Sequence, residues 1–327
     1  MSFQLKILLL SYFTSAVLSV IILPLLKKLK IRQVERTTGP KSHLKKNGTP
    51  TMGGLIIILS TIVLSIFLYF NYSQDEPEIA TRLLPMLFVT AGFGVIGFID
   101  DFKKVVLHDP EGISPYAKMS GLSVITIIYI MMLVFVFNNG TEIYIPFANV
   151  YWTMPKVLYF ILALLVFLGT TNAINLTDGI DGLAGSVTTL ITTALTIISI
   201  IWNIKEMTIF GSIIIGSSLG FLLLNIHPAH VYMGDTGSLL LGGAIAGIAL
   251  YMKIPLLLLV LAIIPVIETI SVILQLLSFK IRKKKLFLMA PIHHHYELKG
   301  WNEPKIVIIF SIITIIGCAI GILSVLD

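Results

Sequence analysis

The sequence predicts an all-α polytopic membrane protein of about ten transmembrane helices, and three observations carry that expectation. Of 327 residues, 56% are hydrophobic and only 12% charged, whereas a soluble domain carries about a quarter charged residues. The apolar residues gather in runs long enough to cross a bilayer of about 30 Å, which takes about 20 residues each. The basic residues fall on alternate connections between those runs. A soluble enzyme, a disordered chain and a secreted disulfide scaffold are excluded. The one cysteine, Cys318, has no partner within the chain.

The apolar runs lie near 3–26, 53–70, 82–99, 120–137, 156–172, 183–202, 207–225, 237–252, 255–279 and 305–326. The first has only Lys6 ahead of its apolar core and no small-residue cleavage site behind it, so it reads as a retained helix rather than a signal peptide. The eighth is short and rich in glycine. In the ninth, Pro265 should kink or break the helix close to Glu268, the one acidic residue well inside a span. Small residues four apart, Gly216 and Gly220, Gly243 and Gly247, Gly317 and Gly321, let helix backbones approach closely. Gly92-Phe-Gly94-Val-Ile-Gly97 fits the dinucleotide fingerprint in spelling only, because it lies inside an apolar helix with no strand before it.

Orientation follows from the basic residues, since cytoplasmic connections are enriched in Lys and Arg. Eighteen of the 23 Lys and Arg fall on connections of one parity, and the rest are Lys6, Arg82, Lys156, Lys205 and Lys253. The expectation is a single integral membrane domain over 1–327 with both termini outside and cytoplasmic loops near 27–52, 100–119, 173–182, 226–236 and 280–304. The net charge of +6 is then an orientation signal, and no nucleic-acid partner is expected.

That topology also sorts the polar chemistry. Asp100-Asp101 closes the third span, and Asn172-Ala-Ile-Asn175-Leu-Thr-Asp178-Gly-Ile-Asp181-Gly follows the fifth. Asn225-Ile-His227-Pro-Ala-His230-Val-Tyr232-Met-Gly234-Asp235-Thr-Gly-Ser follows the seventh, and Pro291-Ile-His293-His294-His295-Tyr-Glu the ninth. Five aspartates and a histidine run therefore meet on the cytoplasmic face. Carboxylates are hard oxygen ligands suited to Mg²⁺, which binds through one or two of them together with substrate phosphates. Lys46, Lys104 and Lys118 would offset phosphate charge, so a Mg²⁺-dependent, anion-handling active site on the cytoplasmic face is expected. Each signal also has a plain structural reading. Asp100-Asp101 would serve as a helix stop, one of Asp178 and Asp181 as a turn former, Asp235 as an N-cap of the eighth helix, and Lys283–Lys285 as a headgroup-facing stretch. The histidine run lacks the spacing of a zinc site.

These motifs resemble the polyprenyl-phosphate N-acetylhexosamine-1-phosphate transferases. The resemblance runs through Thr49-Pro-Thr51-Met-Gly-Gly54, Phe98-Ile-Asp100-Asp101, Asn172 to Ala184 and Val231 to Ser238. It ends with Met289-Ala-Pro-Ile-His293-His294-His295-Tyr-Glu-Leu-Lys-Gly-Trp301. The histidine segment points to the phospho-N-acetylmuramoyl-pentapeptide transferase branch. What the resemblance implies is transfer of phospho-MurNAc-pentapeptide from UDP-MurNAc-pentapeptide to undecaprenyl phosphate, giving lipid I and UMP with Mg²⁺, in the bacterial plasma membrane. By that likeness Asp235 ligates Mg²⁺, with Asp178 a second candidate ligand. Asp100 and Asp101 manage the prenyl phosphate, Asp100 being the candidate base, and His293 completes the catalytic group. Lys46, Thr51, Asn172, Asn175, Asp178, Asp181, Asn225, Tyr232 and Gln275 are carried over as substrate contacts, with Lys104 and Lys118 at the phosphates and His294 and His295 along the sugar phosphate. Tyr232 stands where the family motif often has Phe, and either ring stacks on uracil. A homodimer is a candidate assembly. One-step and covalent two-step routes stay open. A UDP-GlcNAc-using transferase is the alternative within the class, and an ion-coupled transporter outside it; the transporter reading expects ionisable groups near the bilayer midplane.

Overall fold

The computed structural model describes residues 2–28 and 48–326. Twelve α-helices make up most of it: α1 (Phe3–Lys28), α2 (Gly54–Tyr72), α3 (Pro77–Val105), α4 (Pro115–Met131), α5 (Lys156–Thr177), α6 (Leu183–Ile201), α7 (Lys205–Asn225), α8 (Gly234–Tyr251), α9 (Leu258–Leu261), α10 (Ile263–Arg282), α11 (Ile292–Leu298) and α12 (Glu303–Leu323). Among the described residues, nine helices are long and apolar enough to cross a membrane. The chain is an all-α, multi-pass membrane protein.

The eighth helix, α8, falls outside those nine, because its first turns carry Asp235, Thr236, Ser238 and glycines. It is also the most enclosed: every residue from Thr236 to Tyr251 is buried. It packs on α2, α3, α5 and α6, so it needs no lipid-facing apolar surface. Lipid-facing helices such as α1 and α12 instead leave large apolar side chains such as Val20, Ile21 and Ile308 exposed. The small-residue pairs do the packing expected of them. A Cβ on Gly216 would stand 2.4 Å from the Leu8 carbonyl oxygen of α1, one on Gly243 2.9 Å from the Phe93 ring of α3, and one on Gly317 2.6 Å from the Val260 carbonyl oxygen.

Three expectations about elements need revision. The helix expected over 255–279 is divided into a 3₁₀ turn (Pro255–Leu257), α9, and α10 after a break at Ala262. A proline ring clashes with the carbonyl four residues back. The chain therefore leaves the helix ahead of Pro265, which sits in the first turn of α10, where no N–H is needed. Secondly, α3 runs one turn past Asp100-Asp101 to Val105, and both aspartates are buried, so the pair is no helix stop. Thirdly, the connection before α5 holds an antiparallel hairpin, β1 (Glu142–Ile145) and β2 (Val150–Thr153), with Glu142 opposite Thr153 and Ile145 opposite Val150. Tyr144 N–H donates to the Lys253 carbonyl at 2.7 Å and Lys253 Nζ to Glu142 at 2.7 Å, which ties the hairpin to the end of α8 remote from Asp235.

Candidate active site

Four helix ends meet around Asp235. A Cβ on Gly97 of α3 would stand 2.2 Å from the Asp235 carbonyl oxygen, and one on Gly54 of α2 2.1 Å from the Gly237 nitrogen. Glycine is required at both places, because any side chain would push α2 or α3 away from the start of α8. The segment before α2 is held by backbone bonds, Tyr232 N–H to Pro50 at 2.8 Å, Gly53 N–H to Tyr232 at 2.8 Å and Gly54 N–H to Met233 at 2.9 Å. These set Thr51, itself buried, beside the Tyr232 segment.

The cluster itself alternates charges. Lys104 Nζ donates to Asp100 Oδ2 at 2.6 Å and to Asp235 Oδ2 at 3.2 Å, while Lys118 Nζ donates to Asp235 Oδ2 at 2.7 Å and Asp100 Oδ2 at 3.3 Å. Two ammonium groups thus bridge two carboxylates. Ile113 N–H holds the other Asp100 oxygen at 2.7 Å. The remaining Asp235 oxygen accepts from Asn175 Nδ2 at 2.8 Å, and the same amide donates to Ser238 Oγ at 2.9 Å. Asp178, half-buried at the end of α5, has its carboxyl pushed up to about 8, by desolvation first and then by the negative charges of Asp235 and Asp101.

Asp101 has a different setting from Asp100. Its Oδ1 accepts from Asp235 N–H at 3.0 Å, and its Oδ2 from Thr236 N–H at 2.8 Å and Thr236 Oγ–H at 2.6 Å. The first N–H groups of a helix have no intrahelical acceptor, and here a carboxylate from α3 supplies it. Asp235 itself does not cap α8; its side chain faces the lysines instead. Gly234, at φ +74°, precedes this turn, and a Cβ there would stand 2.6 Å from Asp101 Oδ2.

A second group gathers at the start of α6 and α12. Asp181 Oδ2 lies 3.0 Å from His227 Nδ1 and accepts from Ala229 N–H at 3.0 Å, and Asp181 N–H donates to Glu303 at 2.9 Å. Among the described residues, Asp181, His227 and Glu303 are the one group of three His, Cys, Asp or Glu whose ligand atoms lie within 4.8 Å of one another. Asp235 and Asp178 are not in it. By donor chemistry Asp235 fits a magnesium ion: it offers carboxylate oxygens, and the two lysine ammonium groups on it show that it faces positive charge.

The histidine segment is helical and forms α11. His293 is fully buried, with Nδ1 3.0 Å from Glu268 Oε1 of α10, and Gly179, next to Asp178, lies against its ring. His294 Nδ1 pairs with Glu297 at 2.6 Å, and His295 Nδ1 accepts from Leu288 N–H at 3.1 Å. Other carried-over residues have local partners. Gln275 accepts from the Leu286 and Phe287 N–H groups and donates to the Phe287 carbonyl. Asn225 donates to the Val231 carbonyl at 2.9 Å, shaping the turn before Tyr232. Asn172 is exposed and donates to the Leu168 carbonyl of its own helix. Lys46 lies outside the described residues. Sequence reasoning missed Thr236, Ser238, His227 and Glu303. His227 and Ser238 lie in segments the sequence singles out, but nothing in a charge pattern marks Glu303, which reads as an ordinary first-turn acid of α12.

Fold and cluster together define a polytopic membrane protein with a carboxylate–lysine site at one end of its bundle, and the family comparison narrows this to a transferase: the sequence model of glycosyl transferase family 4 matches residues 83–253. A phospho-N-acetylmuramoyl-pentapeptide-transferase signature covers residues 46–58. The phospho-N-acetylmuramoyl-pentapeptide-transferase of Clostridium novyi (strain NT) is 43% identical over 100% of this chain and 98% of its own. That of Clostridium perfringens (strain SM101 / Type A) is 48% identical over 96% and 94%. That of Acetivibrio thermocellus is 44% identical over 95% and 92%. The chain belongs to the phospho-N-acetylmuramoyl-pentapeptide-transferase family.

Proposed function

We propose that the chain acts at the cytoplasmic face of the bacterial plasma membrane, where the cluster around Asp235 transfers phospho-MurNAc-pentapeptide from its UDP carrier to undecaprenyl phosphate. The activity that goes with the family is phospho-MurNAc-pentapeptide transfer in peptidoglycan synthesis. In chemical terms, a phosphate oxygen of the prenyl phosphate attacks the sugar-bearing phosphorus, the diphosphate P–O bond breaks, and UMP leaves. One phosphoanhydride replaces another, so positioning and charge neutralisation are the protein's task. The observation that carries this reading is the bridge of Lys104 and Lys118 between Asp100 and Asp235. It is a preorganised cationic pair in a partly buried site, suited to two phosphate groups that approach each other.

Within it, Asp100 orients both lysines. A phosphate monoester is already mostly ionised near pH 7, which favours that role over proton abstraction. Asp101 sets the first turn of α8 and thereby the backbone of Asp235. Asp235, with Asp178 beside it, would hold magnesium, which supplies charge neutralisation on the diphosphate when bound. Thr51, Asn175, Asp181, Asn225 and Tyr232 shape the nucleotide side; Lys46, Asn172, Gln275, His294 and His295 are assigned to substrate by family likeness. The test offers purified protein undecaprenyl phosphate and either UDP-MurNAc-pentapeptide or UDP-GlcNAc, with magnesium or chelator, and follows UMP. Release with the muramoyl donor and magnesium alone is expected; activity in chelator, or with UDP-GlcNAc instead, refutes it. For the membrane face, a cysteine placed at Asn149 in a Cys318→Ser background should react with an impermeant maleimide in intact cells, and one at Lys283 should not. The reverse pattern inverts the topology.

A further inference from the structure

Glu268 of α10 and His293 of α11 form a buried pair. Both side chains are fully enclosed. Glu268 lies on the narrow buried stripe of α10, with Ile264 and Ser271, so it faces the bundle and not lipid. Its Oε1 is 3.0 Å from His293 Nδ1. A carboxylate accepts, so Nδ1 carries the proton and Nε2 is left as an acceptor. That Nε2 has no hydrogen-bond partner, and neither has Glu268 Oε2. A buried polar atom without a partner costs about 1–3 kcal/mol, and this pair holds two. A structural latch between α10 and α11 would gain by satisfying them. The direction of the ring explains why they are kept: a Cβ on Gly179 would stand 2.1 Å from Nε2, so the free acceptor abuts the turn carrying Asp178 and Asp181.

We propose that Glu268 is a positioning residue for the transfer reaction, fixing His293 so that its Nε2 remains an unprotonated acceptor at the Asp178–Gly179 turn. This rests on the proposed transfer reaction and on the catalytic role that the family resemblance implies for His293. It works through orientation, as carboxylates do for metal-bound histidines, where losing the partner lowers activity about 10- to 100-fold. The same fall in kcat is expected for Glu268→Leu, with KM for UDP-MurNAc-pentapeptide changed by less than about twofold. Glu268→Gln keeps an acceptor for Nδ1–H and should recover most of the turnover. In a His293→Ala background, Glu268→Leu should have no further effect.

Nitrogen NMR of the unmutated protein with labelled histidine, His293 being assigned by its loss in a folded His293→Gln variant, reads the tautomer directly and without any change at Glu268. Protonated Nδ1 and bare Nε2 are expected. A proton on Nε2, full turnover in Glu268→Leu, or losses that simply add in the double variant each overturn the proposal while leaving the proposed function standing. Unimpaired His293→Ala removes the role of His293 and this proposal with it.

Discussion

Removing the Asp101 carboxylate should loosen the start of α8 before it touches any substrate. In Asp101→Ala, three buried donors lose their acceptor: the N–H groups of Asp235 and Thr236 and the Thr236 hydroxyl, now held at 3.0, 2.8 and 2.6 Å. At about 1–3 kcal/mol for each stranded donor, and with less than full additivity within one turn, the cost is roughly 3–6 kcal/mol. Asp101→Asn is milder. Its carbonyl oxygen, placed where Oδ2 stands, still serves both Thr236 donors, and only the Asp235 N–H faces an amide that cannot accept, for about 1–2 kcal/mol. Hydrogen exchange in detergent or nanodiscs reads this locally. The amides of 235 and 236 should lose roughly 100-fold or more of their protection in Asp101→Ala, since each 1.4 kcal/mol is tenfold, and much less in Asp101→Asn. Activity should follow the same order, with Asp101→Asn the better enzyme. If Asp101→Ala is inactive while those amides stay as protected as before, the carboxylate acts on substrate or metal directly and the supporting role is wrong.

Asp235→Asn should remain folded, with melting temperature near that of the unmutated protein, yet lose turnover on the order of 100-fold or more; near-normal UMP release removes its proposed metal-binding role. Gly97→Ala places a methyl 2.2 Å from a backbone oxygen of α8, and an overpacking cost of about 1–3 kcal/mol should appear as a lower melting temperature with activity reduced in step. For Asp178 the sign is set by its carboxyl being raised from 3.8 to about 8. The folded protein holds that proton while the unfolded chain has released it, so this group lowers stability progressively as pH rises from about 4 to about 8. Asp178→Asn should therefore melt higher at neutral pH and show a flatter profile between pH 5 and 8; an unchanged profile refutes the proton-holding carboxyl.

Much of this protein is written one residue at a time. Lipid favours apolar helices that satisfy their own backbone, so most span positions follow from composition, and the glycine pairs at 216 and 220 or 243 and 247 announce close packing before any partner is known. The residue types of the site were legible too: Asp100, Lys104, Lys118, Asn175, Asp178 and Asp235 all carry chemistry that apolar helices do not need. What the chain alone leaves open is which atom each of them faces. Asp100 and Asp101 are adjacent in sequence, yet successive helix positions point about 100° apart. That rotation sends one carboxylate to the lysines and the other to the first turn of α8. Asp235 looks like a cap by its place in the sequence, and its side chain meets the lysines instead because Asp101 from another helix takes the first N–H groups of α8. Glu268 reads as an isolated acid in a broken helix until α11 folds back and brings His293 to it. Periodicity and composition act along the chain and are therefore readable there; partners drawn from α3, α8, α10 and α11 are set by packing across it, and that only the tertiary structure decides.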